Sequence, residues 1–362
     1  MSKLAKVLVS VMLVAAMLIG CGAKEEAATE APAATEETAE AAGKVAIIYT
    51  VTGKGDLSFN DGCYKGAMKA VEDFGIELVE VEPTSLSDTE QAFEEMSAEG
   101  DYDLIIGITY EALDPIIKIA PNYPDQKYAI IDTDAGQPNC VSYIAKENES
   151  AFLAGCLAAL IQGEDNALLN DAKAIGIVGA MDADVINRHI TGYTCGAKYI
   201  DPSIEVFHDY VGSFDDTAAA QAIAQTMNNN GADVIYQVAA GAGLGVFKEA
   251  DDKGFMAIGL DDNQNYLDPD TIVASTIKKV DEYVYQAIDT AVNGGFEGGK
   301  ALALGLAENG VDFTFDESEV EVSQEIKDTI EAIKAKVASG ELVIPNTLDG
   351  IEDFVANNVY AE

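Results

Sequence analysis

Positive charge is scarce in this chain. Arginine occurs once, at Arg188, histidine twice, at His189 and His208, and 21 Lys and Arg face 63 Asp and Glu for a formal net charge of −42. A surface of that sign repels phosphate backbones and has no basic stripe, which argues against nucleic acid as a partner. It offers little attraction to anionic lipid, so membrane contact would have to come from a covalent anchor. Two histidines supply a transition-metal site poorly, and the five cysteines include no C-x-x-C spacing, which leaves zinc and redox motifs without support. There is no G-x-S-x-G, and neither histidine sits in a recognisable nucleophile–base arrangement. No catalytic residue, metal ligand or cofactor is assigned. The many carboxylates leave a hydrolase chemically open but without positive support.

The first 21 residues set the expected location. Lys3 and Lys6 precede an apolar run from Val7 to Gly20, and Leu18-Ile19-Gly20-Cys21 closes it. The run falls short of the about 20 residues that span a bilayer but suits a signal-peptide core. It resembles the lipobox of bacterial lipoproteins, in which Cys21 would be lipidated and become the new N-terminus. Residues 22–43, rich in Ala, Glu and Thr, combine like charge with few large apolar groups and predict a disordered acidic stalk.

From Lys44 onward, short apolar runs alternate with amphipathic stretches. Strands are expected at 45–49, 76–81, 103–108, 128–132, 174–178, 204–207, 232–236 and 256–260, with helices near 60–74 and 88–99. Near-continuous apolar strands between helices indicate parallel sheets covered on both faces. Two such series over roughly 300 residues predict two doubly wound α/β lobes. Ala151–Leu160, apolar and rich in small residues, reads as the first helix of the second lobe, packed closely on a neighbour. Cys63, Cys140, Cys156 and Cys195 are widely spaced in apolar or helical contexts and read as buried free thiols.

Ligands gather at the carboxyl ends of parallel strands. The first strand runs into Gly53-Lys54-Gly55-Asp56-Leu57-Ser58-Phe59-Asn60-Asp61, where Phe59 stands in a polar loop at a helix start. Such a ring is either a stacking surface or a residue folded onto the core, and Ser58 alternatively a simple cap. Gly241-Ala242-Gly243-Leu244-Gly245 follows another strand, with Asp261 twenty residues after Gly241. That is the spacing idea of a dinucleotide fingerprint, but the last glycine comes one position early. A glycine-lined strand end admitting a sugar is the better reading. Asp261-Asp262-Asn263-Gln264-Asn265 begins like a calcium loop, yet Tyr266 replaces the turn glycine and Ile272 the bidentate glutamate.

Several ordered motifs carry a resemblance over residues 44–345: Gly55-Asp56-Leu57-Ser58-Phe59-Asn60, Glu149-Ser150-Ala151-Phe152-Leu153-Ala154-Gly155, Tyr210-Val211-Gly212-Ser213-Phe214-Asp215-Asp216, Gly231-Ala232-Asp233-Val234-Ile235, Gly241–Gly245, Gly259-Leu260-Asp261 and Ser275-Thr276-Ile277-Lys278. The chain resembles the basic membrane protein family of lipoproteins, the purine nucleoside receptor group of ABC importers. The resemblance implies a type I periplasmic-binding fold with a hinge and an interlobe cleft. It implies a nucleoside ligand, an ABC permease with a cytoplasmic ATPase as partner, and attachment to the outer face of the cell membrane through Cys21. By motif, Phe59 and Phe214 would sandwich the purine, Asn60 would contact the ligand, and Asp132 would accept hydrogen bonds from the base. Asp261 and Lys278 would hold the ribose hydroxyls, with Gly241 allowing close backbone approach.

The chain departs from the family at Thr50, where many members carry aspartate, at His189, where an aromatic is usual, and at Asn263, where a second aspartate follows. These changes bear on base preference more than on binding. The expected organisation is lobe 1 at 44–145 plus about 277–295, lobe 2 at 146–276 plus about 296–345, and a tail at 346–362 packed on the body. Rival readings are a sugar or autoinducer receptor of the same fold, a surface adhesin or signalling lipoprotein, and an exported nucleoside hydrolase. Cys21→Ser is expected to block processing or release the protein from the membrane fraction. Unchanged retention and gel mobility would contradict lipidation.

Overall fold

The computed structural model describes residues 42–360. The leader, Cys21 and nearly all of the acidic stalk lie outside those residues. Described order begins with β1 (Lys44–Ile48), whose Val45–Ile48 run is fully buried because helices cover both faces of its sheet. There follow α1 (Phe59–Phe74), β2 (Glu77–Val81), α2 (Leu86–Glu99), β3 (Leu104–Ile108), α3 (Leu113–Ile119), β4 (Tyr128–Ile131) and β5 (Cys140–Ala145). α4 (Glu147–Leu160) leads into β6 (Ala174–Gly179), α5 (Asp184–Ile200), β7 (Glu205–Tyr210), α6 (Thr217–Asn229), β8 (Ala232–Val238), α7 (Leu244–Lys253), β9 (Met256–Gly259) and β10 (Ile272–Lys278). The chain ends with α8 (Val280–Val292), β11 (Ala301–Leu304), β12 (Val311–Thr314), α9 (Gln324–Ala338) and α10 (Ile351–Asn357).

These strands form two six-stranded sheets, ordered β11-β5-β4-β3-β1-β2 and β12-β10-β9-β8-β6-β7. All pairings are parallel except β10 with β12, so the second sheet carries one antiparallel edge. The chain passes between sheets three times: through α4, after β10, and between β11 and β12. One expected boundary is corrected. Residues 301–304 were assigned to the second lobe, but β11 pairs with β5 at the edge of the first sheet. A third crossover of this kind is set by strand pairing, which the local sequence does not encode.

Helix ends follow capping chemistry. Ser85 accepts from Asp88 N at 3.2 Å at the start of α2, and Gly100, with φ +69°, ends it in the left-handed conformation that lacks a Cβ penalty. α4 begins four residues before the apolar stretch from which it was expected, because Glu147 and Asn148 are polar yet buried within the helix. It packs on α5 at backbone contact: a Cβ on Gly155 would lie 2.0 Å from Tyr193 O, and one on Gly196 2.0 Å from Phe152 O. The tail docks on the same pair. Phe354 of α10 packs edge-on against Phe152 at 5.7 Å, and Tyr360 N donates to Tyr199 O at 2.8 Å. Cys63, Cys140, Cys156 and Cys195 are buried and unpaired. Among the described residues no helix is long and apolar enough to cross a membrane.

Because backbone blocks backbone at this crossing, Gly155→Ala is expected to cost at least about 1–3 kcal/mol, read as a lower urea midpoint. Gly163→Ala, which would meet no heavy atom within 4 Å, is the control. A Gly155→Ala midpoint equal to the parent's would contradict the close approach.

Candidate functional site

The carboxyl ends of the central strands of both sheets converge on one cavity. From the first sheet come Thr50 and Thr52 after β1, Asp56, Phe59 and Asn60 at the start of α1, Thr109, Tyr110 and Glu111 after β3, and Asp132 after β4. From the second come Ile186 and His189 of α5, Phe214 after β7, Ala240 after β8, Asp261 after β9 and Lys278 at the end of β10. Thr109, Asp132, Ala240 and Asp261 all hold positive φ, at 64°, 76°, 48° and 67°. Non-glycine residues pay for that conformation, and it concentrates where side chains are aimed into a site.

A buried ionic chain crosses the cavity floor. Lys278 Nζ lies 2.5 Å from Asp132 Oδ2 and 2.9 Å from Glu147 Oε1. Arg188 holds the other side of Glu147, with Nε donating to Oε2 at 2.6 Å and Nη2 to Oε1 at 3.2 Å. Burial would raise the Glu147 carboxyl, but Lys278 and Arg188 outweigh it and hold it well below the usual carboxylate range. Burial likewise pulls Lys278 down, and Asp132, Glu147 and Asp261 overcome it, so the ammonium stays charged. Asp132 is raised by burial, with Lys278 opposing. Its Oδ1 is buried with no hydrogen-bond partner, an expensive state for a carboxylate oxygen unless something fills it.

Asp261 accepts from Ser58 Oγ through Oδ2 at 2.7 Å, a bond joining the two halves of the cavity. Burial pushes its carboxyl up to about 6, against the pull of Lys278 and the Ser58 bond. A second bond between the halves runs from Gln264 Nε2 to Leu57 O at 2.9 Å. Ser58 therefore does not cap α1. That role falls to Asp56, whose carboxylate accepts from the backbone N–H of Ser58 at 3.0 Å and of Asn60 at 2.9 Å. His189 is kept neutral, its pKa lowered to about 3 chiefly by burial, and its Nδ1 pairs with Tyr236 Oη at 2.9 Å.

Of the residues expected at the site, Thr50, Phe59, Asn60, Asp132, His189, Phe214, Asp261 and Lys278 line this cavity. Gly241 does not. It sits behind the lining, where a Cβ would be 3.4 Å from Phe214 O, and Ala240 takes the lining position. Asn60 lines the wall, but its Oδ1 accepts from Thr50 N at 3.2 Å and Thr50 Oγ1 at 3.1 Å while Nδ2 donates to Asp56 at 2.9 Å. Its amide shapes the first βα loop and keeps one Nδ2 hydrogen uncommitted. Phe59 and Phe214 enter from opposite sheets, and Lys278 Nζ stands 5.0 Å from the Phe59 ring centroid. Sequence reasoning missed Thr52, Asp56, Thr109, Glu111 and Ala240. The strand-end rule that singled out the loop after β1 also covers Thr109 and Glu111 after β3.

The chemistry of the cavity is one-sided. Lys278 is the one cation among the lining residues, against Asp56, Glu111, Asp132 and Asp261. Such a site repels anions and offers carboxylate oxygens to a neutral ligand rich in hydroxyl or N–H donors, beside two aromatic faces.

Residues 44–347 match the family described as ABC transporter substrate-binding protein PnrA-like (Bmp). A protein of Lactococcus lactis named ABC transporter nucleoside-binding protein BmpA is 31% identical over 354 residues, covering 91% of this chain and 95% of that one. An uncharacterised lipoprotein of Pyrococcus abyssi is 33% identical, over 83% of this chain and 74% of its own length. A solved ABC transporter solute-binding protein from Aeropyrum pernix superposes with a TM-score of 0.75 at 31% identity, covering 86% of this chain and 95% of that one. The chain thus belongs to the PnrA-like ABC transporter substrate-binding proteins of type I periplasmic-binding fold, and is a solute receptor rather than an enzyme.

Proposed function

We propose that this receptor binds a nucleoside, with a purine as the base, and presents it to an ABC permease driven by a cytoplasmic ATPase. Lipid on Cys21 would hold it on the extracytoplasmic face of the cell membrane. The observation that carries the reading is the pairing of Phe59 and Phe214 with buried carboxylates that keep unused oxygens. Asp261 spends Oδ2 on Ser58, and Asp132 Oδ1 has no partner. A flat base would stack on rings from opposite lobes, its N–H groups supplying donors to Asp132 and the ribose diol supplying them to Asp261. The nucleoside-binding name of the Lactococcus lactis relative supports the same ligand class.

The two rings separate binding from folding. Stacking a base on an aromatic face contributes about 1–3 kcal/mol by alanine substitution. Phe59→Ala and Phe214→Ala are thus each expected to weaken inosine by about 5- to 150-fold in calorimetric titration. A core role would instead lower the unliganded melting temperature, and intact inosine affinity would remove these rings from the site.

Asp261 gives a pH signature. Its carboxyl, raised to about 6, must be ionised to accept two hydroxyl donors. Ribonucleoside affinity should fall as pH drops through about 6, approaching tenfold per pH unit where one proton must be displaced. The sign for unliganded folding is opposite. A carboxyl raised in the native state favours folding while protonated, so this contribution is present below the unfolded value near 4 and lost as pH rises to about 6. A 2′,3′-dideoxy analogue should bind weakly and without the pH step, and Asp261→Ala should abolish the step for inosine. Equal losses for both ligands would remove the diol assignment.

A further inference from the structure

The wall beyond the rings is built from the loops after β1 and β3. Phe59 is flanked by Ser58, which donates to Asp261, and by Asn60, which accepts from Thr50. If the ribose occupies the Asp261–Lys278 end, a base lying along Phe59 extends toward the strand ends at Thr50 and Thr52. Glu111 belongs to that wall. Its Oε2 accepts from Val51 N at 2.9 Å, and no partner for Oε1 occurs among the described residues. Thr109, held at φ +64°, turns the chain after β3 and accepts from Glu111 N at 3.3 Å. That strained turn brings the side chain back against the β1 loop, inside the cavity lining.

We infer that Glu111 reads the base and selects one that presents two adjacent N–H donors, as the N1–H and 2-amino group of a guanine do. The inference rests on the nucleoside reading. A carboxylate has about four acceptor positions, and Val51 uses one, leaving both oxygens able to accept. A guanine edge matches this with two parallel charge-assisted bonds. Hypoxanthine offers only N1–H. Adenine places the N1 lone pair against the carboxylate and is repelled. Burial raises the Glu111 carboxyl, with the Val51 N–H opposing, consistent with a carboxylate short of donors. Thr50 and Thr52, bonded to each other at 2.8 Å, lie beside it and carry no charge that could compete for the base.

Glu111→Gln tests the assignment, because glutamine keeps an oxygen for Val51 while replacing two acceptors by one acceptor and one donor. That pattern suits adenine, whose edge carries one donor and one acceptor. Calorimetric titration of guanosine, inosine and adenosine should give the parent the order guanosine, inosine, adenosine. A bidentate base contact discriminates by about 1–3 kcal/mol, so the guanosine-to-adenosine affinity ratio should fall by about 5- to 150-fold in Glu111→Gln. Glu111→Ala should lose guanosine preference without gaining adenosine, and unliganded melting of both variants reports on the loop. An unchanged ratio, or an equal fall for all three ligands, overturns the role of Glu111 while leaving nucleoside binding in place. Failure of all three to bind the parent protein overturns the nucleoside reading and this inference together.

Discussion

The site is organised around the Lys278 ammonium, buried between Asp132 and Glu147 at the junction of the two sheets. The other three members of the ionic chain come from separate parts of the fold: Asp132 from the end of β4, Glu147 from the first turn of α4, and Arg188, which pairs with Glu147, from α5. Desolvating any one of these charges alone would cost several kcal/mol, so each is tolerable only while the others are in place. The same lysine stands over the Phe59 ring, and its backbone N–H donates to Asp261 O at 2.8 Å. One residue, through its side chain and its backbone, thereby ties the floor of the cavity, one aromatic plate and the residue proposed for the diol into a single arrangement.

What that arrangement leaves over is negative charge. Lys278 and Arg188 saturate Glu147, but Asp132 keeps an orphaned oxygen, Asp261 is raised to about 6, and Glu111 has an unpartnered oxygen. Of these, the Asp132 oxygen is buried, and a buried acceptor inside a cavity is a place where a ligand can supply the missing donor. The positive φ values at Thr109, Asp132, Ala240 and Asp261 tell the same story in the backbone, since the strain buys side-chain direction at strand ends. The bonds Ser58–Asp261 and Gln264–Leu57 join the two lobes, and Asp261 belongs both to that contact and to the cavity lining.

Much of this was legible in the sequence, for identifiable reasons. Central strands such as Val45–Ile48 and Leu104–Ile108 read as continuous apolar runs because helices cover both faces. Phe59 and Asp261 stood out because they sit in polar loops just past such runs. The failures have physical causes as well. The start of α4 was set too late because Glu147 is buried by virtue of two distant cations, Arg188 and Lys278. β11 went to the wrong lobe because strand pairing is a long-range property. Gly241 was expected to allow close backbone approach, whereas the adjacent Ala240, at φ +48°, takes the lining position. Asn60 lines the cavity as expected, while its amide also ties the first loop through Thr50 and Asp56.

The central claim is that surplus carboxylate, balanced by a single lysine, makes this a cleft for neutral, donor-rich ligands carrying a flat base. Calorimetric titration of the soluble protein with a purine nucleoside and with its 5′-monophosphate, in one buffer at pH 7, tests it most directly. Like-charge juxtaposition at an interface costs several kcal/mol, so the nucleoside should bind and the monophosphate should be weaker by about 100-fold or more. Equal affinity for the two, or tighter binding of the monophosphate, would contradict the account.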